Sequence, residues 1–210
     1  MGGKKDLAPF LAYLKELFPV AECALIFETP FQLLVATILS AQCTDKQVNK
    51  VTPALFARFP DSFSMANANI LEIEDLIHST GFYKNKAKNI KSMANALVSN
   101  HNGEVPALMD DLVKLPGVGR KTANVVLGNA FNTPGMVVDT HVKRITNRYR
   151  LTKNSDPVKI EFDLMKIIPK EKWTEVSHQL VLFGRSVCDA KKPKCAECRV
   201  NIHCPSSRYK

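Results

Sequence analysis

The chain has 210 residues, 45% of them hydrophobic, so it can bury a core as one domain or as two small ones. Its 29 Lys and Arg outnumber its 20 Asp and Glu, and the resulting net charge of +9 favours a polyanionic partner. The longest apolar run, near residues 33–39, is too short to cross a membrane, and no secretory signal is recognisable. These features exclude the membrane-spanning and secreted classes, and we expect a cytoplasmic protein with reduced thiols.

Apolar residues recur at helical spacing along nearly the whole chain, and this pattern predicts an all-α fold. The first helix is predicted over 7–18. In the next helix Thr29 is the N-cap, Pro30 is the first helical residue, and residues 31–41 are apolar on most sides. We therefore expect this second helix to be the buried axis of its domain. Further helices are predicted over 46–59, 62–69, 70–78, 157–168 and 173–187.

Two loops in the first half of the chain carry candidate binding residues. Gln42 lies in a polar elbow at a helix end, where a glutamine is usually solvated surface. Phe82 lies in the loop 79–83 without a periodic core partner, although an aromatic ring folded back onto the core fits the sequence equally well. The next helix begins near Lys84 and carries three more lysines, Lys86, Lys88 and Lys91. A run of lysines is most often a solvated face, but beside this loop and the hairpin these lysines are better explained as contacts to backbone phosphates.

A helix, a tight turn and a second helix are predicted over 108–130. The turn is Leu115-Pro116-Gly117-Val118-Gly119, and the second helix opens at Arg120-Lys121-Thr122. Pro116 restricts one backbone angle, and the two glycines tolerate positive φ and allow close approach to the backbone. The N–H groups that open the second helix suit a phosphate, whereas the glycines alone fit an ordinary helix–helix turn better. A nucleotide-binding P-loop is excluded because Arg120 stands where that motif needs glycine.

One lysine of this stretch is placed for chemistry. Lys121 lies in the first turn of its helix, the unfavourable end for a cation, and Arg120 adds a second positive charge beside it. Both effects enrich the neutral amine, which is the nucleophilic form. The alternative is a lysine that only contacts a phosphate. Further along, Asp139 or Thr140 is predicted to cap a basic helix that carries Lys143, Arg144, Arg148 and Arg150.

Four of the six cysteines lie near the C-terminus with the spacing C-x6-C-x2-C-x5-C: Cys188, Cys195, Cys198 and Cys204. Four thiolates within 17 residues of an intracellular protein favour a metal site over disulfides. Structural zinc commonly uses two close cysteine pairs and only one is present, so the spacing puts an iron–sulfur cluster moderately ahead of zinc. Cys23 and Cys43 are interpreted as small core or loop residues. The loop around the four cysteines is basic.

A known family shares the hairpin and the segment that follows it. The chain closely resembles the endonuclease III family in Leu115-Pro116-Gly117-Val118-Gly119-Arg120-Lys121-Thr122-Ala123-Asn124-Val125-Val126 and in Val137-Val138-Asp139-Thr140-His141-Val142. Members of this family are helix-hairpin-helix DNA glycosylases with an added lyase activity. The resemblance covers nearly the whole chain. It implies that Lys121 is the catalytic amine, that Asp139 is its carboxylate partner, and that the four clustered cysteines hold a 4Fe–4S cluster.

The same resemblance implies two helical domains with a DNA-binding groove between them. Residues 22–133 would form a helical-barrel domain carrying the helix-hairpin-helix, and residues 1–21 plus 134–210 an iron–sulfur cluster domain. One uncharged side chain would enter the duplex where a base has been flipped out, and an apolar wedge would insert into the base stack. The implied DNA-binding set is Gln42, Phe82, Lys84, Gly117, Val118, Gly119, Arg120, His141, Lys191 and Lys194.

The implied function is that of a bifunctional DNA glycosylase and abasic-site lyase of base excision repair. It would remove oxidised pyrimidines and nick abasic sites by β-elimination through a Schiff base on Lys121. The implied partner is double-stranded DNA containing damaged bases or abasic sites, bound by a monomer without membrane contact. Two alternatives stay open: a lysine-bearing relative acting on mismatched thymine or alkylated purines, and a non-catalytic helix-hairpin-helix DNA-binding module. An adenine mismatch glycosylase is disfavoured because that group lacks the lysine.

Overall fold

The computed structural model describes residues 7–207, which fold into helices and connecting turns without a strand. The chain divides into two compact units. The middle unit is Cys23–Thr133, and the terminal unit joins, among the described residues, 7–22 to 134–207. In chain order the α-helices are α1 Ala8–Leu17, α2 Pro30–Leu39, α3 Asp45–Arg58, α4 Ser62–Asn67, α5 Ile70–Ile77, α6 Tyr83–His101, α7 Met109–Leu112, α8 Arg120–Ala130, α9 Thr140–Arg148, α10 Pro157–Ile167 and α11 Trp173–Ser186.

Helix α2 is the buried helix of the middle unit, as its composition predicted. The Thr29 hydroxyl accepts a hydrogen bond from the Gln32 amide at 3.2 Å, and Pro30 begins the helix. Every residue from Leu33 to Leu39 is buried, and the helix packs against α3, α6 and α8. Because α2 is covered by close-packed side chains, helices α3, α6 and α8 take fixed positions around it.

Helix α6 positions two of the loops that carry candidate residues. It buries residues at helical spacing, namely Ala87, Ile90, Met93, Ala94 and Leu97, and packs against α4 and α5. Its N-terminus follows the Phe82 loop, and its residue Asn89 lies against the glycine hairpin at Gly117. The long helix α6 therefore adjoins both the loop that carries Phe82 and the glycine hairpin.

The terminal unit has its own core, formed by α1, α9, α10 and α11. Phe10 stacks on Tyr149 with ring centroids 4.4 Å apart and meets Phe183 edge-on at 5.7 Å. The predicted start of α10 is confirmed, since the Asp156 carboxylate accepts the Lys159 amide at 2.9 Å and Pro157 is the first helical residue. Helix α11 packs against both α1 and α9.

Several predicted boundaries were too generous. The helix expected over 62–69 ends at Asn67, because Ala68 is extended and Asn69 caps the next helix. The helix expected before the hairpin is only Met109–Leu112, and it continues as turns toward the hairpin. Over the described residues, no helix combines the length and the hydropathy needed to cross a membrane.

Candidate functional site

The glycine hairpin, residues 115–119, takes a conformation that only glycine adopts easily. Gly117 has φ +77°, and a Cβ added there would lie 2.9 Å from Cβ of Asn89 on α6. Val118 is buried, and its amide bonds the Leu115 carbonyl at 3.1 Å. The turn is therefore held closely within the middle unit by its own backbone and two buried side chains, Leu115 and Val118.

The start of helix α8 is open. Its N-cap is Gly119, which offers no side chain to the first amides, and a Cβ added there would meet nothing within 4 Å. No acidic residue lies in the first turn, which carries Arg120 and the exposed Lys121 instead. Ala123, Val126 and Leu127 are buried on the opposite side of the helix. Helix-start amides and two cations form an arrangement suited to an anionic ligand.

Asp139 caps helix α9, so of the two predicted candidates Thr140 is instead the first residue of the helix. Its Oδ1 accepts the Val142 amide at 2.8 Å, and this bond fixes the orientation of a half-buried carboxylate. The extended segment before it is anchored to α11, since the Val137 amide donates to the Ser177 hydroxyl at 2.9 Å. Lys121 belongs to the middle unit and Asp139 to the terminal unit.

His141 follows Asp139 in the first turn of α9 and is half-buried. Its Nδ1 lies 3.2 Å from the guanidinium of Arg144. A Cβ added at Gly184 of α11 would lie 2.7 Å from the same ring nitrogen. His141 is thus wedged against α11 at a position where only glycine leaves room for it.

Gln42 and Phe82 share an unusual backbone. Both are exposed, Phe82 by 64% of its surface, and both have left-handed φ, 52° for Gln42 and 50° for Phe82. The exposure of Phe82 excludes the alternative of an aromatic ring folded onto the core. Left-handed backbone is unfavourable for a bulky residue and is often found where a side chain must be presented in one direction.

The lysine run at the start of α6 has two different environments. Lys84 and Lys88 are exposed, but Lys86 is only 4% exposed and its Nζ donates to the Thr80 carbonyl at 2.8 Å. The half-buried Lys91 donates to the Ala68 carbonyl at 2.6 Å. Phosphate contact was therefore the wrong prediction for Lys86 and Lys91, because their ammonium groups have carbonyl partners within the protein. Burial lowers the pKa of Lys86.

Four thiols surround one cavity of the terminal unit. Cys188, Cys195, Cys198 and Cys204 line a space of ≈ 400 Å³ that is partly open to solvent, and none of them forms a disulfide. The apolar part of the lining comes from the core, including Phe10, Tyr149, Phe183 and Val200. Burial raises the pKa of Cys198 to about 11, and the three other thiols act in the same direction. Among residues 7–207, no three Cys, His, Asp or Glu side chains are grouped as ligands of a single ion.

Two arginines of α9 hold the segment that begins at the first of these cysteines. Arg148 donates to the carbonyls of Asp189 at 2.6 Å and Ala190 at 2.8 Å, and its Nη1 lies 3.4 Å from Sγ of Cys188. Arg144 donates to the Cys188 carbonyl at 2.9 Å. The sequence indicated only a basic helix here, because the carbonyl acceptors of these bonds lie some 40 residues further along the chain.

The loop between the first two cysteines presents its lysines outward. Oδ1 of Asp189 accepts the amides of Lys191 at 2.8 Å and Lys192 at 3.0 Å, and these bonds hold the pKa of the Asp189 carboxyl below its usual range. The side chains of Lys191, Lys192 and Lys194 are exposed. A tight backbone turn thus places three cations on the surface beside the cysteine cavity.

Comparison with known proteins supplies a family context for these features. A model of the HhH-GPD superfamily of base excision DNA repair proteins matches residues 35–170. Endonuclease III from Synechocystis sp. is 55% identical over 210 residues, which cover 99% of this chain and 96% of that protein.

Two solved structures of endonuclease III on DNA are similar over almost the entire fold. A non-covalent endonuclease III–DNA complex has a TM-score of 0.93 and 43% sequence identity, covering 99% of this chain and 97% of that one. A trapped covalent endonuclease III–DNA intermediate, an estranged-adenine complex, has a TM-score of 0.94 and 43% identity, covering 99% of this chain and 98% of that one.

Proposed function

The chain belongs to the endonuclease III family within the HhH-GPD superfamily, and from this premise we propose how its own residues carry out glycosylase and lyase chemistry on DNA. The enzyme removes a damaged base from duplex DNA and then nicks the strand at the resulting abasic site. The observation that carries the proposal is the exposed amine of Lys121, in the first turn of α8 and directly after an open glycine N-cap. Oxidised pyrimidines and abasic sites are the proposed substrates.

Lys121 is the proposed nucleophile. Neutral Nζ attacks C1′ of the damaged nucleotide, and the bond from C1′ to the base breaks with its electron pair leaving on the base, which takes up a proton. Nitrogen then loses a proton, the C1′–O4′ bond breaks with its electron pair on O4′, which takes up a proton, and a C1′=N Schiff base forms. Removal of a C2′ proton then breaks the C3′–O bond and expels the 3′ phosphate. Hydrolysis of the Schiff base frees Lys121.

Asp139 is the proposed carboxylate of the reaction. A carboxylate can take a proton from the lysine, which makes its amine nucleophilic, and can stabilise the positive charge that develops on the sugar. Its cap bond to the Val142 amide supports this role, because a carboxylate held by a helix start cannot rotate away during the reaction.

DNA binding is divided among several surfaces in this proposal. The backbone of Gly117, Val118 and Gly119 and the first turn of α8 bind a phosphate of the damaged strand. Since a damaged base must leave the stack to be processed, Gln42 and Phe82 fill and wedge the space that it vacates. Lys84, Arg120, His141, Lys191 and Lys194 complete the proposed binding set.

The donor set around the cysteine cavity fits a 4Fe–4S cluster. Four thiols line one cavity, and a cluster of this kind is held by four cysteine thiolates. The guanidinium of Arg148 beside Cys188 Sγ would stabilise a thiolate at that position. We propose that Cys188, Cys195, Cys198 and Cys204 hold such a cluster, which contributes a structural cross-link that orders the basic loop.

Borohydride trapping tests the proposed chemistry, because borohydride reduces a Schiff base to a stable covalent adduct. Lys121→Gln removes the amine and keeps a polar side chain, so trapping and strand cleavage should fall by more than roughly 10³-fold while abasic-DNA binding persists. Lys114→Gln is the matched control, since this exposed lysine lies on the other side of the hairpin and pairs with Asp111 at 2.9 Å.

Substrate choice separates the remaining possibilities. Duplexes carrying an oxidised pyrimidine, an abasic site, a mismatched thymine or an alkylated purine are compared under the same trapping conditions. Preferential capture on the first two supports the proposed specificity, and preference for either of the others replaces it with that of a related glycosylase. Trapping that survives in Lys121→Gln at the wild-type level would remove the nucleophile assignment.

A further inference from the structure

Lys86 makes two hydrogen bonds to the Phe82 loop, which we define as residues 78–82. Its backbone amide donates to the Phe82 carbonyl at 3.1 Å, and its side-chain Nζ donates to the Thr80 carbonyl at 2.8 Å. Thr80 and Lys86 are 2% and 4% exposed, so the second bond lies inside the protein. The Lys86 side chain therefore anchors the loop two residues before Phe82, while its backbone amide makes the first-turn bond of α6 to the Phe82 carbonyl.

A second bond ties this loop to the helix that follows Gln42. The Gln47 side-chain amide donates to the Ser79 hydroxyl at 2.7 Å, and the Gln47 backbone amide bonds the Thr44 cap at the start of α3. The segment after Gln42 is thus bonded through Gln47 to Ser79, the residue next to the carbonyl that Lys86 holds.

A buried ammonium is a costly way to fill space. A methionine in the same place would pack without desolvating a charge, and burial accordingly lowers the pKa of Lys86. What the ammonium adds is a strong hydrogen bond to one particular carbonyl. Both Gln42 and Phe82 have left-handed backbones, a conformation that persists in large residues only when the surroundings impose it.

We propose that Lys86 is a positioning residue: by anchoring the Phe82 loop beside its bond to Gln47, it keeps Phe82 in a fixed position relative to Gln42 before DNA arrives. The role rests on the proposed function, since it concerns the two side chains assigned to the vacated base position. A preformed pair enters the stack without first being ordered, which lowers the barrier for extruding a base that is still paired. Lys86 touches neither the substrate nor the reacting atoms and acts only through the loop.

The test compares Lys86→Met with a matched variant of the same helix, Lys91→Met. Each substitution removes one lysine bond to a backbone carbonyl, but Lys91 donates to Ala68, which lies between α4 and α5 and outside the Phe82 loop. Single-turnover excision is measured on one oxidised pyrimidine, either paired in a duplex or unpaired in a bulge. We expect Lys86→Met to slow excision of the paired lesion about tenfold, equivalent to ~1.4 kcal/mol, with less than about twofold change on the bulge. Lys91→Met should leave the ratio of the two rates unchanged.

Combination with Phe82→Ala shows whether Lys86 acts through the aromatic ring. If it does, Lys86→Met should add little to the loss already caused by Phe82→Ala on the paired substrate. Equal slowing on paired and bulged lesions, or losses that multiply in the double variant, would overturn the proposal.

Two further measurements distinguish a loss of the positioning role from a failure to fold and from a failure of the proposed activity. If Lys86→Met loses cooperative unfolding, Lys86→Gln replaces it, because the shorter neutral side chain falls short of the Thr80 carbonyl. An unchanged rate ratio in a folded Lys86→Gln variant also overturns the proposal. Wild-type trapping by borohydride on the same bulge checks the proposed function independently, since its failure would affect all variants alike.

Discussion

The glycine hairpin and the cysteine loop, residues 188–204, are ordered in opposite ways. The hairpin is shaped by its own sequence: Pro116 and Gly117 set the turn, and Gly119 begins the next helix. The cysteine loop is shaped by distant groups, since its first carbonyls are held by Arg144 and Arg148 of α9. Its regular structure amounts to two three-residue turns, Cys195–Glu197 and Asn201–His203.

This difference shows where each region obtains its stability. Local backbone preferences and the contact of Gly117 with Asn89 of α6 stabilise the hairpin once the middle unit has folded. Most of the loop's own hydrogen bonds join residues only two or three positions apart, so tertiary contacts and a bound group must offset the conformational entropy lost when the whole loop is ordered. The hairpin should therefore tolerate loss of the cluster, and the loop should not.

The largest expected effect is that of Cys195→Ser. Removing one of the four proposed ligands should abolish most of the iron content and leave the cysteine loop disordered, because cluster binding and local folding are coupled. Elemental analysis measures the iron, and hydrogen exchange compares amides of the loop with those of the hairpin. The control is Cys23→Ser, which changes a half-buried cysteine of the middle unit outside the cavity. Zinc in place of iron, or hairpin amides that exchange as fast as loop amides, would contradict this view.

Gly117→Ala should destabilise the protein by an intermediate amount. Alanine is strained at φ +77° and its Cβ would lie 2.9 Å from Cβ of Asn89, so we expect a cost of about 2–4 kcal/mol in the free energy of unfolding. Gly119→Ala, two residues along, meets open space at a negative φ and should cost less than ~1 kcal/mol. Urea denaturation gives both values. Equal costs would mean that neither the positive φ nor the contact with Asn89 makes Gly117 necessary for the hairpin.

The smallest expected effect concerns the lysines of the cysteine loop. Lys191→Ala with Lys194→Ala should weaken binding to damaged and undamaged duplex alike and reduce the log–log salt slope by about two units, because each lysine–phosphate contact releases counterion. Lys159→Ala with Lys170→Ala removes two exposed lysines outside the proposed binding set and serves as the control. Fluorescence anisotropy at several salt concentrations measures the slopes. A slope that both pairs change equally would assign the effect to net charge alone.

The sequence by itself determined most helices and their starts. Thr29 and Asp139 cap helices where their side chains predicted caps. Apolar spacing identified α2 as the buried helix. Helix starts are predictable because a cap bonds an amide only two or three residues away, so all the required information lies in one short segment. The close likeness of the hairpin to a known family had the same local origin.

Tertiary structure alone decided which cations bind the protein itself. Lys86, Lys91 and Arg148 resembled solvent-facing or DNA-facing charges in the sequence, yet each donates to backbone carbonyls that the fold brings within reach. The left-handed backbones of Gln42 and Phe82 were equally unpredictable. The physical reason is that every residue carries a carbonyl acceptor, so no sequence pattern marks the one that a distant lysine or arginine will meet. Only the packing of helices selects it.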